Sequence, residues 1–240
     1  MFTAIYGGFC RRFVNAVVLV GLLTAMPTAF SMDAQLKRLM AIQPDAVQGY
    51  EIYRLCADCH GPEGQGKWDG SVPVISGQHQ LVLIKQLRDF RDGRRKNEAM
   101  FPFSQDEAIG GDQAIADVTA YISTLLMPAE PAAGPGTGAD EGEELYRLYC
   151  NSCHGANGEG NPELGMPRIH GQHYPYLVRQ LEHIVNGERA DSDPVMKNLL
   201  MQMDPVDREK IADYLSTQLG ASELVAPEGW QNPDFNFGFQ

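Results

Sequence analysis

The sequence predicts an all-α protein made of two tandem helical repeats. Three observations carry that prediction: a pentapeptide Cys-x-x-Cys-His that occurs twice, a wider pattern around it that returns after 94 positions, and apolar residues at helical spacing in both copies. The pentapeptides are Cys56-Ala57-Asp58-Cys59-His60 and Cys150-Asn151-Ser152-Cys153-His154, and they use every cysteine beyond the first ten residues. Sliding the chain by 94 also places Gly64 and Gly66 on Gly158 and Gly160, Pro73 on Pro167, Gly77-Gln78-His79 on Gly171-Gln172-His173, Gln86-Leu87 on Gln180-Leu181, and Arg95 on Arg189.

Within each copy a first helix leads into the pentapeptide, through Tyr53-Arg54-Leu55 or Tyr146-Arg147-Leu148-Tyr149. A Gly- and Pro-rich stretch follows. A middle helix then carries Leu81, Ile84 and Leu87, or Leu177, Leu181 and Ile184. The last helix carries Ile115, Val118, Ile122 and Leu125 in copy one, and Ile211, Leu215 and Leu219 in copy two, where Asp204-Pro205 supplies an N-cap and first-turn proline. Between the copies, residues 128–142 are rich in Pro, Gly and Ala without periodicity and read as a linker. The expected layout is therefore 1–31 an export signal, 32–127 one domain, 128–142 a linker, 143–220 the second domain, and 221–240 an aromatic tail with Trp230, Phe235, Phe237 and Phe239. Such a tail is expected to wrap its own domain, with a docking peptide as the alternative.

The export reading rests on Arg11 and Arg12, an apolar run from Phe13 to Leu23 and small residues up to Ser31. The apolar run is short for a membrane span, and an uncleaved anchor is the alternative. Cleavage near Ala29 or Ser31 removes Cys10 and leaves no unpaired thiol. The formal net charge of −12 makes nucleic acid an unsuitable partner. Residues 32–127 hold 10 Lys+Arg against 13 Asp+Glu, a net of −3, whereas residues 128–240 hold 7 against 18, a net of −11. A dipole of that kind orients a charged redox partner during encounter, or simply keeps an exported protein soluble.

The chemistry is set by the pentapeptides. Two thiols three positions apart reach the two vinyl groups of one haem, and the adjacent histidine offers an imidazole nitrogen to its iron. Two Cys-x-x-Cys pairs also make a zinc ribbon, but ribbon pairs lie closer together and need no histidine after each. Two covalently bound haems c, with iron as the metal, are therefore expected. His60 and His154 are the proximal ligands by adjacency.

With CADCHG and CNSCHG, the Gly-Gln-His frame followed by Gln-Leu, Gly-x-Arg after the middle helix, and the closing Tyr121-Ile122-Ser123 and Tyr214-Leu215-Ser216, the chain resembles the two-domain di-haem class I cytochromes c of the cytochrome c4 type. The resemblance covers about residues 45–220 and implies two tandem class I cytochrome c domains, each a small helical fold wrapped round one haem c. It departs in three places: copy one is a residue shorter between Tyr53 and Cys56, Val82 stands where copy two has Tyr176, and the tail runs past the last helix.

The sixth ligand decides function, because methionine raises the iron potential, histidine lowers it and a vacant position admits substrate. Met100, in Met100-Phe101-Pro102-Phe103, resembles the loop by which class I cytochromes present a sulfur. Copy two offers Met166, Met196, Met201 and Met203. Met196 lies 18 positions before Tyr214 as Met100 lies 21 before Tyr121, and the resemblance favours it, while Met201 and Met203 read as packing residues. His79 and His173 are matched, as bis-histidine ligation requires, yet the resemblance places a non-ligating residue there. His170 and His183 read as surface or hydrogen-bonding residues. The resemblance also implies that Pro73 and Pro167 present carbonyls to the proximal imidazoles, with plain turn prolines as the alternative. Arg95 and Arg189 are candidates for the haem propionates or for solvated side chains. The basic run Lys85, Arg88, Arg91, Arg94, Arg95 and Lys96 docks an acidic partner, faces the acidic second half, or is a wet helix face.

Two six-coordinate irons leave no open site, so neither catalysis nor a small-molecule substrate is expected. The function expected is a periplasmic di-haem carrier between redox protein partners, some of them membrane-bound complexes: a respiratory donor and a terminal oxidase or reductase. The alternatives are a haem c subunit of a larger dehydrogenase, such as a flavocytochrome or an alcohol-oxidising complex, and a di-haem enzyme such as a peroxidase or thiosulfate dehydrogenase.

Overall fold

The computed structural model describes residues 34–235, together with Met1. The chain divides into two units, Met1–Ser31 and Met32–Gln240. The expected export signal with Cys10, Arg11 and Arg12, and the distal Phe237 and Phe239, lie outside the described residues.

Among the described residues there are helices and no strands. In the first half these are α1 (Ala34–Met40), α2 (Ala46–His60), α3 (Gln80–Arg91), α4 (Phe101–Ser104), α5 (Asp106–Ile109) and α6 (Gly111–Thr124). The second half has α7 (Ala139–Tyr149), α8 (Asn151–His154), α9 (Tyr174–Asn186), α10 (Pro194–Met201) and α11 (Pro205–Thr217). Three of the starts are capped by aspartate. Asp45 accepts from the amides of Val47 and Gln48, Asp193 from Val195 and Met196, and Asp204 from Val206. Pro194 and Pro205 stand in the first turns, where their missing N–H leaves nothing unsatisfied.

The additional residue in copy two has a local consequence. In copy one α2 runs unbroken through the pentapeptide to His60, whereas in copy two the helix stops at Tyr149 and restarts at Asn151, with Cys150 between them at φ −113°. The insertion is absorbed by breaking the helix, so that both histidines still end a helical turn.

Each half packs its first helix against its last, α2 on α6 and α7 on α11. A glycine stands at each crossing. A Cβ on Gly49 would lie 2.4 Å from the Asp117 carbonyl oxygen, and one on Gly142 would lie 2.0 Å from that of Lys210. Backbones this close leave no room for any side chain, the same device at equivalent places in both repeats. The first core gathers Leu36, Leu39, Tyr53, Leu81, Ile84, Ile115, Val118 and Ile122; the second gathers Tyr146, Leu177, Ile211 and Leu215. Two expected core positions fall differently. Leu125 is buried but follows the end of α6, and Leu219 lies beyond α11 and is exposed, because α11 stops at Thr217.

Residues 128–138 are not helical, but they are fastened down. The buried Asp213 carboxylate accepts from the amides of Gly136 (2.9 Å) and Gly138 (3.0 Å), Ser216 Oγ from Gly134 (3.0 Å), and His173 Nδ1 from Ala132 (2.9 Å). Helix α7 begins at Ala139, inside the segment read from sequence as linker.

The tail does not wrap its own half. It crosses to the first one. The Met127 amide donates to Leu224 O and the Ala226 amide to Met127 O (2.8 Å each). Asn232, 2% exposed, donates to Pro62 O (2.8 Å) and to the Tyr121 hydroxyl (3.1 Å). Tyr121 in turn donates to Asp234 (2.8 Å), and Phe235 meets the rings of Tyr50 and Tyr53 edge-on. Phe235 belongs to a 3-10 turn, Pro233–Phe235, not to an extended strand.

Candidate functional site

Both pentapeptides end in a buried histidine whose ring is held from behind. His60 Nδ1 meets the Pro73 carbonyl at 3.0 Å, and His154 Nδ1 meets that of Pro167 at 3.1 Å. This hydrogen bond makes Nδ1 the protonated nitrogen and leaves Nε2 with its lone pair available to a metal. Burial holds both imidazoles below the ordinary histidine pKa, so the neutral, ligating form prevails at neutral pH. The turn after each histidine is set by the glycines: Gly66 N–H donates to His60 O and Gly160 N–H to His154 O (2.8 Å each), at φ +71° and +73°. Tyr53 donates to Gly61 O (2.7 Å) and Tyr146 to Gly155 O (2.5 Å), tying the core of each half to its pentapeptide.

None of the four pentapeptide cysteines is in a disulfide; Cys59 and Cys153 are exposed and Cys56 and Cys150 half-buried. Burial, with the neighbouring thiol second, pushes Cys56 up to about 12 and Cys150 up to about 11. Neutral thiols held in one helical turn beside a ligating imidazole are the donor set for thioether attachment, and the residues present fit covalent haem. Among the described residues no group of three or more His, Cys, Asp or Glu side chains converges as a zinc ribbon requires.

Met100 immediately precedes α4, with Pro102 in that helix's first turn; Met196 is the third residue of α10, its amide capped by Asp193 (3.3 Å). Each stands between the middle and last helices of its half, half-buried. Met203 packs against the second core, as expected. Met201 does not: it is 59% exposed.

The matched histidines of the Gly-Gln-His frame join the two halves. His79 Nε2 bonds Glu159 O (2.8 Å), and His173 Nε2 bonds Gln65 O (2.7 Å) while its Nδ1 accepts from Ala132. Both nitrogens of His173 are thereby occupied. His170 is buried rather than on the surface, and burial together with Arg168 pushes it down to about 4. His183 pairs with Glu188 (3.1 Å).

Arg95 and Arg189 are not solvated. They meet at a cluster drawn from both halves: Arg95 donates to Tyr176 Oη and Gln180 (2.9 Å each) and to Gln86, and Arg189 to Gln180 (3.1 Å). Tyr176, where copy one has Val82, is what receives Arg95. Arg189 Nε is buried without a hydrogen-bond partner, with Asp191 Oδ1 at 3.7 Å, and burial first, then the Arg95 guanidinium, hold its pKa down. Such a cluster suits carboxylate groups of a bound ligand. The basic run is mostly answered by the chain's own acids, Arg91 by Asp106 (3.0 Å) and Arg94 by Asp89 (2.7 Å) within the first half, and Lys85 by Asp89 and by Asp191 of the second half, while Arg94 and Lys96 stay exposed.

A helical unit that ends in Cys-x-x-Cys-His, backs the histidine with a proline carbonyl and occurs twice in one chain defines a class: class I c-type cytochromes with two covalently bound haems c. Comparison with known proteins agrees. The cytochrome c family model matches residues 46–126 and 139–218. Cytochrome c4 of Thiocapsa roseopersicina is 33% identical over 67% of this chain and 85% of its own length. The thiosulfate dehydrogenase electron acceptor of Thiomonas intermedia is 30% identical over 68% of this chain and 78% of its own. The crystal structure of reduced recombinant cytochrome c4 from Pseudomonas stutzeri superposes with a TM-score of 0.63 at 30% identity, covering 74% of this chain and all of that one. The chain belongs to the cytochrome c family, as a two-domain member of the cytochrome c4 type.

Proposed function

We propose that this di-haem electron-transfer protein is a periplasmic carrier in which His60 and Met100 bind one iron and His154 and Met196 the other. When bound, each haem supplies a one-electron iron couple. The chain's own residues do the rest. Cys56, Cys59, Cys150 and Cys153 tether the groups, Pro73 and Pro167 fix the imidazole orientation, and Arg95 and Arg189 neutralise propionates, with one haem domain at 32–127 and the other beginning with α7 at Ala139. The observation that carries this reading is the duplicated buried histidine, its Nδ1 held by a proline carbonyl and its Nε2 left for iron.

Export is supported by the arginine-led apolar segment at the N-terminus and by the chemistry of covalent haem attachment; no helix among the described residues is long and apolar enough to cross a membrane. Relatives named as electron acceptors of thiosulfate dehydrogenase make such a dehydrogenase the donor to assay first. The test is spectroscopic. Both ferric haems should show the red-edge sulfur-to-iron charge-transfer band, and Met100→Ala and Met196→Ala should each remove one share of it. Carbon monoxide binding to the native reduced protein would instead favour an enzyme with an open iron.

A further inference from the structure

The duplicated Gly-Gln-His frame does more than join the halves. We propose that Gln78 and Gln172 are positioning residues, each tuning the iron of the opposite half by gripping the peptide that holds the proximal imidazole there. His60 Nδ1–H donates to Pro73 O (3.0 Å), and the N–H of that same amide, on Val74, donates to Gln172 Oε1 (2.9 Å). Gln172 Nε2 donates back to Val74 O (2.9 Å), so the carboxamide is held at both ends. The other half repeats the arrangement with the roles exchanged. His154 Nδ1 donates to Pro167 O (3.1 Å), Arg168 N–H donates to Gln78 Oε1 (3.0 Å), and Gln78 Nε2 donates to Arg168 O (2.8 Å). On its own side each Oε1 also accepts the following histidine amide, His79 N–H at 3.0 Å or His173 N–H at 3.1 Å, which fixes the rotamer.

Amide resonance gives the contact its direction. An N–H drawn to an acceptor shifts electron density to its own carbonyl oxygen, and hydrogen bonds in such a chain strengthen one another. A stronger carbonyl acceptor gives the imidazole more imidazolate character, and a more basic ligand favours the ferric state. Each glutamine therefore lowers the potential of the iron it does not share a half with. The inference rests on the proposed ligation by His60 and His154.

The experiment uses the full-length holoprotein, selectively labelled with ¹⁵N-histidine and reduced, with each haem titrated spectroelectrochemically. Strong ring-current shifts of the His60 and His154 ring protons in the unsubstituted protein establish ligation; their absence would overturn the ligation and the clamp with it. Gln172→Leu should move the His60 Nδ1–H resonance, leave that of His154 in place, and raise one potential by a threefold change in the redox equilibrium, about 28 mV at 59 mV per decade. Gln78→Leu should do the reverse. Gln172→Glu keeps an acceptor, now charged, and should lower the same potential, so it carries the test alone if the leucine variant does not fold. Shifts within the substituted residue's own half, equal shifts in both, no shift, or the same sign for Leu and Glu would overturn the clamp.

Discussion

Asn232 lies 172 positions beyond His60, yet its replacement should loosen the first half of the molecule. Its side chain donates to Pro62 O at 2.8 Å and to the Tyr121 hydroxyl at 3.1 Å, at a site 2% exposed. Asn232→Ala removes both bonds to the first half, together with the local donation from the Asp234 amide to its Oδ1 (3.1 Å), and leaves the Pro62 carbonyl without this donor. At about 1 kcal/mol for each of the two bonds to the first half, the loss there is about 2 kcal/mol. That corresponds to about 30-fold faster amide exchange wherever opening is governed by the strap. The assay is hydrogen exchange with mass spectrometry on the holoprotein. Peptides from α2 and α6 should accelerate, while those from α7 and α11 stay within a factor of two. Acceleration confined to α7 and α11, or none anywhere, would refute the assignment of the tail to the first half.

Other substitutions test other contacts. Gly142→Ala drives a Cβ into the Lys210 carbonyl and should destabilise the second half by about 3 kcal/mol, read as a lower denaturation midpoint; an unchanged midpoint would show that the helices are not in close contact. Asp213→Ala strands the amides of Gly136 and Gly138 and should cost about 3 kcal/mol, with faster exchange concentrated in residues 132–140. His170 gives a pH signature. Burial first, then Arg168, depresses its pKa to about 4, so between pH 6.5 and 4 the unfolded chain binds more protons than the folded one. The associated stability is complete above pH 6.5 and is lost as pH falls towards 4, by no more than about 3 kcal/mol. His170→Gln should flatten that limb of the stability curve, and an unaltered limb would move the effect to another group. Electron-transfer rates with a redox partner should fall as ionic strength rises if the acidic second half steers encounter, and flat salt dependence would remove that role.

The haem chemistry was legible because covalent attachment demands contiguous residues: two thiols and an imidazole inside five positions have few other uses. The duplication was legible for the same reason, since a repeat of 94 residues repeats its turns and helix starts along with its site. The glutamine clamps were visible only as a matched word, Gly-Gln-His, without a role. Their partners, Val74 and Arg168, meet them across 98 and 90 positions, through backbone atoms that no side-chain pattern can report. The same holds for the tail, whose aromatic residues showed that it packs somewhere but not where.

Local chemistry therefore determined the cofactors, the helical class and the two-fold repetition, because helix periodicity and thioether geometry are properties of short stretches of chain. Only the tertiary structure decided that the two halves share their hydrogen bonds crosswise, that Arg95 and Arg189 meet at one cluster, and that the stretch from Asn232 to Phe235 binds the first half. Those contacts depend on how surfaces distant in sequence fit together, and fit is set by shape and by the hydrogen-bonding groups left over once each half has folded.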